Sequence, residues 1–264
     1  MAPTIILLAL AIFILTTIYF ALRTTISYYA KGQFNRYLIN RKIKPSYKKI
    51  LIAYFRYYHT LSDKNKLHFE KRVQKFIDIK RFDPRGSFTK VTDEMVVLIA
   101  ASAIQLTFGY PGVYFKHFWR ILIYPENYYS KITQHYHKGE VNSRGFIVLS
   151  WEHFLKGYMD TGDGINLALH EMAHALRLEN SIKNDEYDFI DHAALKEFDR
   201  LGKLETAKIH KGTANFFRKY ASQNPDEFFS IAIENFFERP LAFKAHNHAL
   251  YMATAKVLRQ NPLE

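Results

Sequence analysis

The sequence predicts an α+β fold, mostly helical with a small sheet, preceded by a single transmembrane helix. Three observations carry this. A charge-free apolar run opens the chain, two short β-type runs sit near its middle, and segments of helical periodicity lie on either side of them. The order is helices, then a small sheet, then helices, which suggests α+β rather than alternating βαβ units.

Residues 4–22, TIILLALAIFILTTIYFAL, carry no charge and would rise about 28 Å as a helix, enough to span a bilayer core. The run lacks the basic lead and small-residue cleavage site of a removable signal, so it reads as a retained anchor. Residues 23–49 form a basic juxtamembrane segment with eight Lys or Arg (from Arg23 to Lys49) and no Asp or Glu. By the positive-inside rule this predicts a single-pass membrane protein with its C-terminal domain in the cytoplasm and the lipid bilayer as partner. The net charge of +12 raises nucleic acid as an alternative, but no binding module accompanies the basic stretch.

Residues 46–80 mix aromatic and charged residues at helical spacing and read as two amphipathic helices, punctuated by Asp83-Pro84-Arg85-Gly86. Residues 92–106 read as a buried helix capped by Thr92 or Asp93. The β-type runs are 118–124 (FWRILIY) and, after a polar loop, 145–151 (GFIVLSW). A helix is expected over 165–179, mostly helical structure over 185–222, and a last helix from Asn224-Pro225 to Glu238, ended by Pro240. With 22 Phe and 18 Tyr the chain can fill a sizeable core. Cysteine is absent, which excludes disulfides, a thiolate metal site and a cysteine nucleophile.

Chemistry concentrates in residues 166–176, NLALHEMAHAL. His170 and His174, four apart on a helix, direct two imidazoles at one point, as a zinc ion requires. Glu171 lies about 100° further round, out of ligand position but able to serve as general base towards a zinc-activated water. The third ligand is less determined. One common spacing would place it at Asn180 and another at Ala194, and neither residue serves. The remaining candidates lie on the later helix, NPDEFFSIAIENFFERP: Glu227, Glu234 and, less favoured, Asp226 or Glu238. Asn224 at N-cap and Glu227 at N3 also make a capping box, and Glu234 shares Glu227's face, so spacing leaves the choice open.

GFIVLSWEHFLKG, DGINLALHEMAHALRLEN and YASQNPDEFFSIAIENFF together resemble the Mlc titration factor A family of zinc-dependent peptidases. VVLIAASAIQLTFGY and ILIYPENY are similar to further segments of that family. The similarity spans residues 50–258, which the resemblance implies is a zincin-like metallopeptidase domain with a gluzincin-like site, similar to that of the anthrax lethal factor catalytic domain. It implies Glu227 as third ligand and Tyr220 as the side chain that stabilises the transition state. The anchor departs from the family, and ALRLEN after His174 lacks the usual carboxylate behind the ligands or displaces it to Glu179. The family's contact with the repressor Mlc has no matching residues here.

The function expected is therefore a membrane-anchored metallopeptidase hydrolysing peptide or protein substrates. One zinc per chain would be held by His170, His174 and Glu227, with Glu171 and Tyr220 as catalytic residues. The substrate backbone is expected to pair with an edge strand formed by Gly145–Trp151. The alternative is a zinc-stabilised, membrane-tethered regulator that binds a partner with little or no catalysis.

Overall fold

The structure, a computed structural model, describes residues 13–27, 41–130, 134–160, 162–213 and 216–264. Contacts divide the chain after Lys42 into two units. In the first, residues 13–27 form helix α1, whose side chains are exposed and whose Thr16, Thr17, Thr24 and Thr25 hydroxyls donate to carbonyls of the preceding turn. This helix corrects the expected membrane topology. Residues 4–12 of the expected span, and 28–40 of the basic segment, lie outside the described residues. Among the described residues no helix is long and apolar enough to cross a membrane. The described part of α1, residues 13–27, accounts for about 22 Å of helix and contains Arg23. The single-pass assignment, the bilayer partner and the location drawn from them fall with it.

The second unit, Ile43–Glu264, is mostly helical around a small sheet. Three helices rather than two occupy its start, α2 (Pro45–Tyr54), α3 (Arg56–Thr60) and α4 (Asp63–Ile79), because Phe55 is extended and buried between the first two. Strand β1 (Arg81–Pro84) takes in part of the segment that read as punctuation. Helix α5 (Asp93–Leu106) is capped by Thr92, whose hydroxyl accepts from the Met95 N–H at 3.2 Å. It is the central buried helix, packed on α2 and α4. Buried Arg72 of α4 donates to the carbonyls of Thr107, Tyr110 and Val113, satisfying the backbone where α5 ends.

Strand β2 (Arg120–Tyr124) pairs in parallel with β1. The segment expected as a polar loop instead holds the two-stranded ribbon β3 (Tyr128–Ser130) and β4 (His135–His137), followed by β5 (Gly139–Asn142). Strand β6 (Phe146–Ser150) pairs in parallel with β2 and antiparallel with β5, giving the order β1-β2-β6-β5. The expected edge strand, Gly145–Trp151, is thus interior, and β5 is the edge. Strands as short and polar as HYH and GEVN leave no alternating signal to read.

Strand β6 runs directly into α6 (Trp151–Met159), with Ser150 as its cap. Helix α7 (Leu167–Ser181) then packs against α5, α6, β5 and β6. Helix α8 (His192–His210) and a 3-10 turn (Lys219–Ser222) lead to α9 (Pro225–Glu238), which lies along α7. Helices α10 (Pro240–His246) and α11 (His248–Leu258) close the unit. The α7–α9 pair carries His170, Glu171, His174, Glu227 and Glu234, while β5 and the 3-10 turn bring Gly139 and Tyr220 to them.

Candidate metal centre

The site begins with Asn166. Its side chain accepts from the Leu169 N–H at 3.0 Å, starting α7, while its own backbone N–H donates to Glu234 Oε2 at 2.7 Å. One residue therefore fixes both where α7 begins and how it sits against α9. The apolar face, with Ala168, Met172, Ala173, Ala175 and Leu176 fully buried, packs into the core. His170 and His174 fall on the face turned to α9.

Their Nε2 atoms lie 3.1 Å apart. At the N-terminus of α9, Asn224 takes the cap, accepting from the Asp226 and Glu227 N–H groups. Glu227 projects to the histidines instead of closing its own helix: Oε2 lies 3.2 Å from His170 Nε2 and Oε1 3.5 Å from His174 Nε2. An ion with tetrahedral bonds of about 2.0–2.1 Å sets its ligand atoms about 3.3 Å apart, so these three separations suit a small cation. Glu227 Oε2 is also buried without a hydrogen bond, the state of a carboxylate oxygen built to meet a metal. Among the described residues His170, His174 and Glu227 are the one group of this kind with converging ligand atoms.

Glu234, one of the two evenly weighted carboxylates, turns to the other side of His170, with Oε1 2.7 Å from Nδ1. Arg218 donates to the same carboxylate at 2.6 Å and to the Gly164 carbonyl at 3.0 Å. An oriented carboxylate behind a ligating imidazole fixes its tautomer and raises its basicity. Glu179, considered for that position, is instead buried against the His117 backbone N–H at 3.1 Å. The other two candidates are engaged elsewhere: Asp226 with Arg177 at 3.2 Å, and Glu238 with the Asn166 amide at 3.0 Å.

Electrostatics follow from this packing. Burial disfavours charge on His170, but the Glu227 and Glu234 carboxylates outweigh it and hold the imidazole at about 10. Burial likewise opposes ionisation of Glu227, yet both histidines bring it down to about 2. Two nitrogens and a carboxylate so disposed attract a positive charge, which a proton or a metal can supply. Glu171 differs. It is buried, and desolvation pushes it up to about 6, within the range of a general base working near neutral pH. Tyr220, half exposed on the 3-10 turn, is raised by burial and by the charges of Glu227 and Glu171, so its phenol stays protonated as a donor.

His170, Glu171, Arg218, Tyr220 and Glu234 line one cleft of about 610 Å³, whose opposite wall is the β4–β5 segment Tyr136–Gly139. Gly139 lies hard against Glu171: a Cβ there would sit 2.6 Å from its Cγ. Gly139→Ala is accordingly expected to displace the Glu171 carboxyl and lower turnover by at least about tenfold, with metal content unchanged; parallel activity and metal assays check this. Sequence reading missed Gly139 and Arg218, and left Glu234 open between a ligand and a partner that supports one. Only Glu234 had a signal, its seven-residue spacing from Glu227.

A His-Glu-x-x-His helix with a distal glutamate, set against the edge of a small mixed sheet, is the arrangement of the metallopeptidase class. The chain belongs to the glucose-regulated metallo-peptidase M90 family, whose profile matches residues 30–259. It is 26% identical to an uncharacterized protein, slr2042, of Synechocystis, over 86% of this chain and 88% of that one. It is 24% identical to Mlc titration factor A of Escherichia fergusonii, over 78% of this chain and 83% of the relative. Salmonella agona Mlc titration factor A shares 28% identity over 47% of this chain and 48% of its own length. The family resemblance read from the motifs therefore holds.

Proposed function

We propose that this protein is a zinc-dependent peptidase that hydrolyses peptide bonds. The observation that carries the reading is the convergence of His170, His174 and Glu227 at ligand spacing beside a buried Glu171. A zinc ion held there supplies Lewis acidity, polarising a carbonyl and making a water nucleophilic near neutral pH. Glu171 accepts the proton of the attacking water and returns it to the leaving amine. The Tyr220 phenol donates to the developing oxyanion. Arg218 and Glu234 hold the His170 ring in place, so its Nε2 faces the ligand position without a competing tautomer.

The substrate strand pairs with β5, which offers an unpaired edge beginning at Gly139 beside Glu171. Placing a glycine at that point brings the substrate backbone close to the base. Purified protein is expected to contain about one zinc per chain. A chelator should abolish peptide hydrolysis and added zinc restore it; hydrolysis that survives complete zinc removal would refute the reading.

A second reading has support in the relatives' name, Mlc titration factor A, which speaks of titrating Mlc. On that reading zinc stabilises a partner-binding surface, and a Glu171→Gln variant would keep full cellular function.

A further inference from the structure

The peptide cleft continues past the metal ligands to an end with a different charge. Lys138 lies between β4 and β5, immediately before Gly139, and its carbonyl accepts from the Ser150 N–H at 2.7 Å. That bond sets Lys138 beside the start of α6. From the same helix His153 and Lys156, three residues apart and so on one face, also line the cleft. His153 is oriented by Ser150, whose Oγ lies 2.9 Å from Nδ1. Burial and then the charge of Lys138, with Lys156 adding to it, hold His153 below the ordinary histidine value. The ring is therefore a neutral hydrogen-bonding group between two cations.

The acids of the cleft do not balance these cations. Glu171 sits at the catalytic position, and Glu234 is taken by Arg218 and His170. Asp163 is the one other acid lining the cleft, and its Oδ1 accepts from the Ile165 N–H at 2.8 Å. Lys156 meets Glu152 at 2.5 Å, but both side chains are largely exposed, and such a pair yields readily to a better partner.

We propose that Lys138, His153 and Lys156 form a subsite for a carboxylate of the peptide substrate, making this a peptidase with a preference for acidic sequences. The subsite rests on the peptidase reading above. Because Lys138 directly precedes Gly139, a strand paired on β5 would present the recognised group within about two residues of the scissile bond. An acidic side chain and a free C-terminal carboxylate share the required chemistry.

Peptide pairs differing only in Glu against Gln at one position, walked along the sequence, separate these sources when run beside C-terminal acid and amide forms. With zinc-loaded protein, kcat/KM is expected to favour the anionic member by about fivefold to tenfold at one position, declining as salt is raised. In the Lys138→Gln/Lys156→Gln variant the ratio should fall to about one, and in Lys138→Glu/Lys156→Glu it should invert. A maximum at an internal Glu assigns the side chain, and a maximum for acid over amide assigns the terminus. Hydrolysis with no charge preference at any position overturns the subsite and leaves the peptidase reading standing. If no peptide is cut, the peptidase reading fails. The subsite is then judged by fluorescence anisotropy of the same labelled pairs: tighter binding of the anionic members, lost in the lysine variants, supports it, and equal binding overturns it.

Discussion

Glu171→Gln is expected to lower kcat/KM for peptide hydrolysis by about 10²–10⁴-fold while leaving the metal in place. The substitution keeps shape and volume, which matters because Gly139 leaves no room beside the side chain. It replaces a basic carboxylate with an amide that cannot take up the proton near neutral pH. A loss of that size is about 3–5 kcal/mol of transition-state stabilisation, appropriate to one proton-transferring group and less than the whole catalytic effect. The neighbouring ligands are untouched, since Glu171 lies against Gly139 of β5 and is not among the converging ligand atoms. Metal content by atomic absorption, measured on the preparation used for kinetics, separates the two roles. Turnover within a few-fold of wild type would remove Glu171 from the mechanism, and loss of the metal would make it a ligand or a support for one.

The His-Glu pair was legible in the sequence because its geometry is local. Four residues on one helix fix the relation of His170 to His174, and no tertiary information is needed. Its distal partner was not legible from spacing, and the structure shows why. Glu227 and Glu234 lie seven apart on one face of α9 and both reach His170, one on each nitrogen. A sequence places both carboxylates beside the helix but not on either side of one ring; the family resemblance implied Glu227 as the ligand, and the two carboxylates lie on opposite nitrogens of His170. The sheet was half legible. Strand β2 alternates buried and half-buried positions and β6 is an apolar run buried over four successive residues, whereas β4 and β5 are short and polar. The first apolar run was read as a span from its length and lack of charge alone, and among the described residues no helix is long and apolar enough to cross a membrane.

Comparing the metal affinities of His170→Ala, Glu227→Gln and Glu234→Gln puts that division of labour to the test. His170→Ala removes a ligand and vacates the point where both carboxylates meet, so it should reduce bound zinc to well below one ion per chain. Glu227→Gln should act in the same direction, since an amide oxygen is a weaker zinc donor than a carboxylate. Glu234→Gln should cost only about 10–100-fold in affinity, because it weakens the hydrogen bond that orients His170 and leaves all three ligand atoms present. It also leaves the Arg218 guanidinium without its carboxylate, so its thermal unfolding needs to be followed alongside zinc titration. A folded Glu234→Gln protein that loses zinc as completely as His170→Ala would make Glu234 a ligand. Zinc affinity unchanged in Glu227→Gln would exclude Glu227. The ordering His170→Ala, then Glu227→Gln, then Glu234→Gln follows from distance to a single point: the first two change atoms that converge on it, and the third changes an atom one imidazole away.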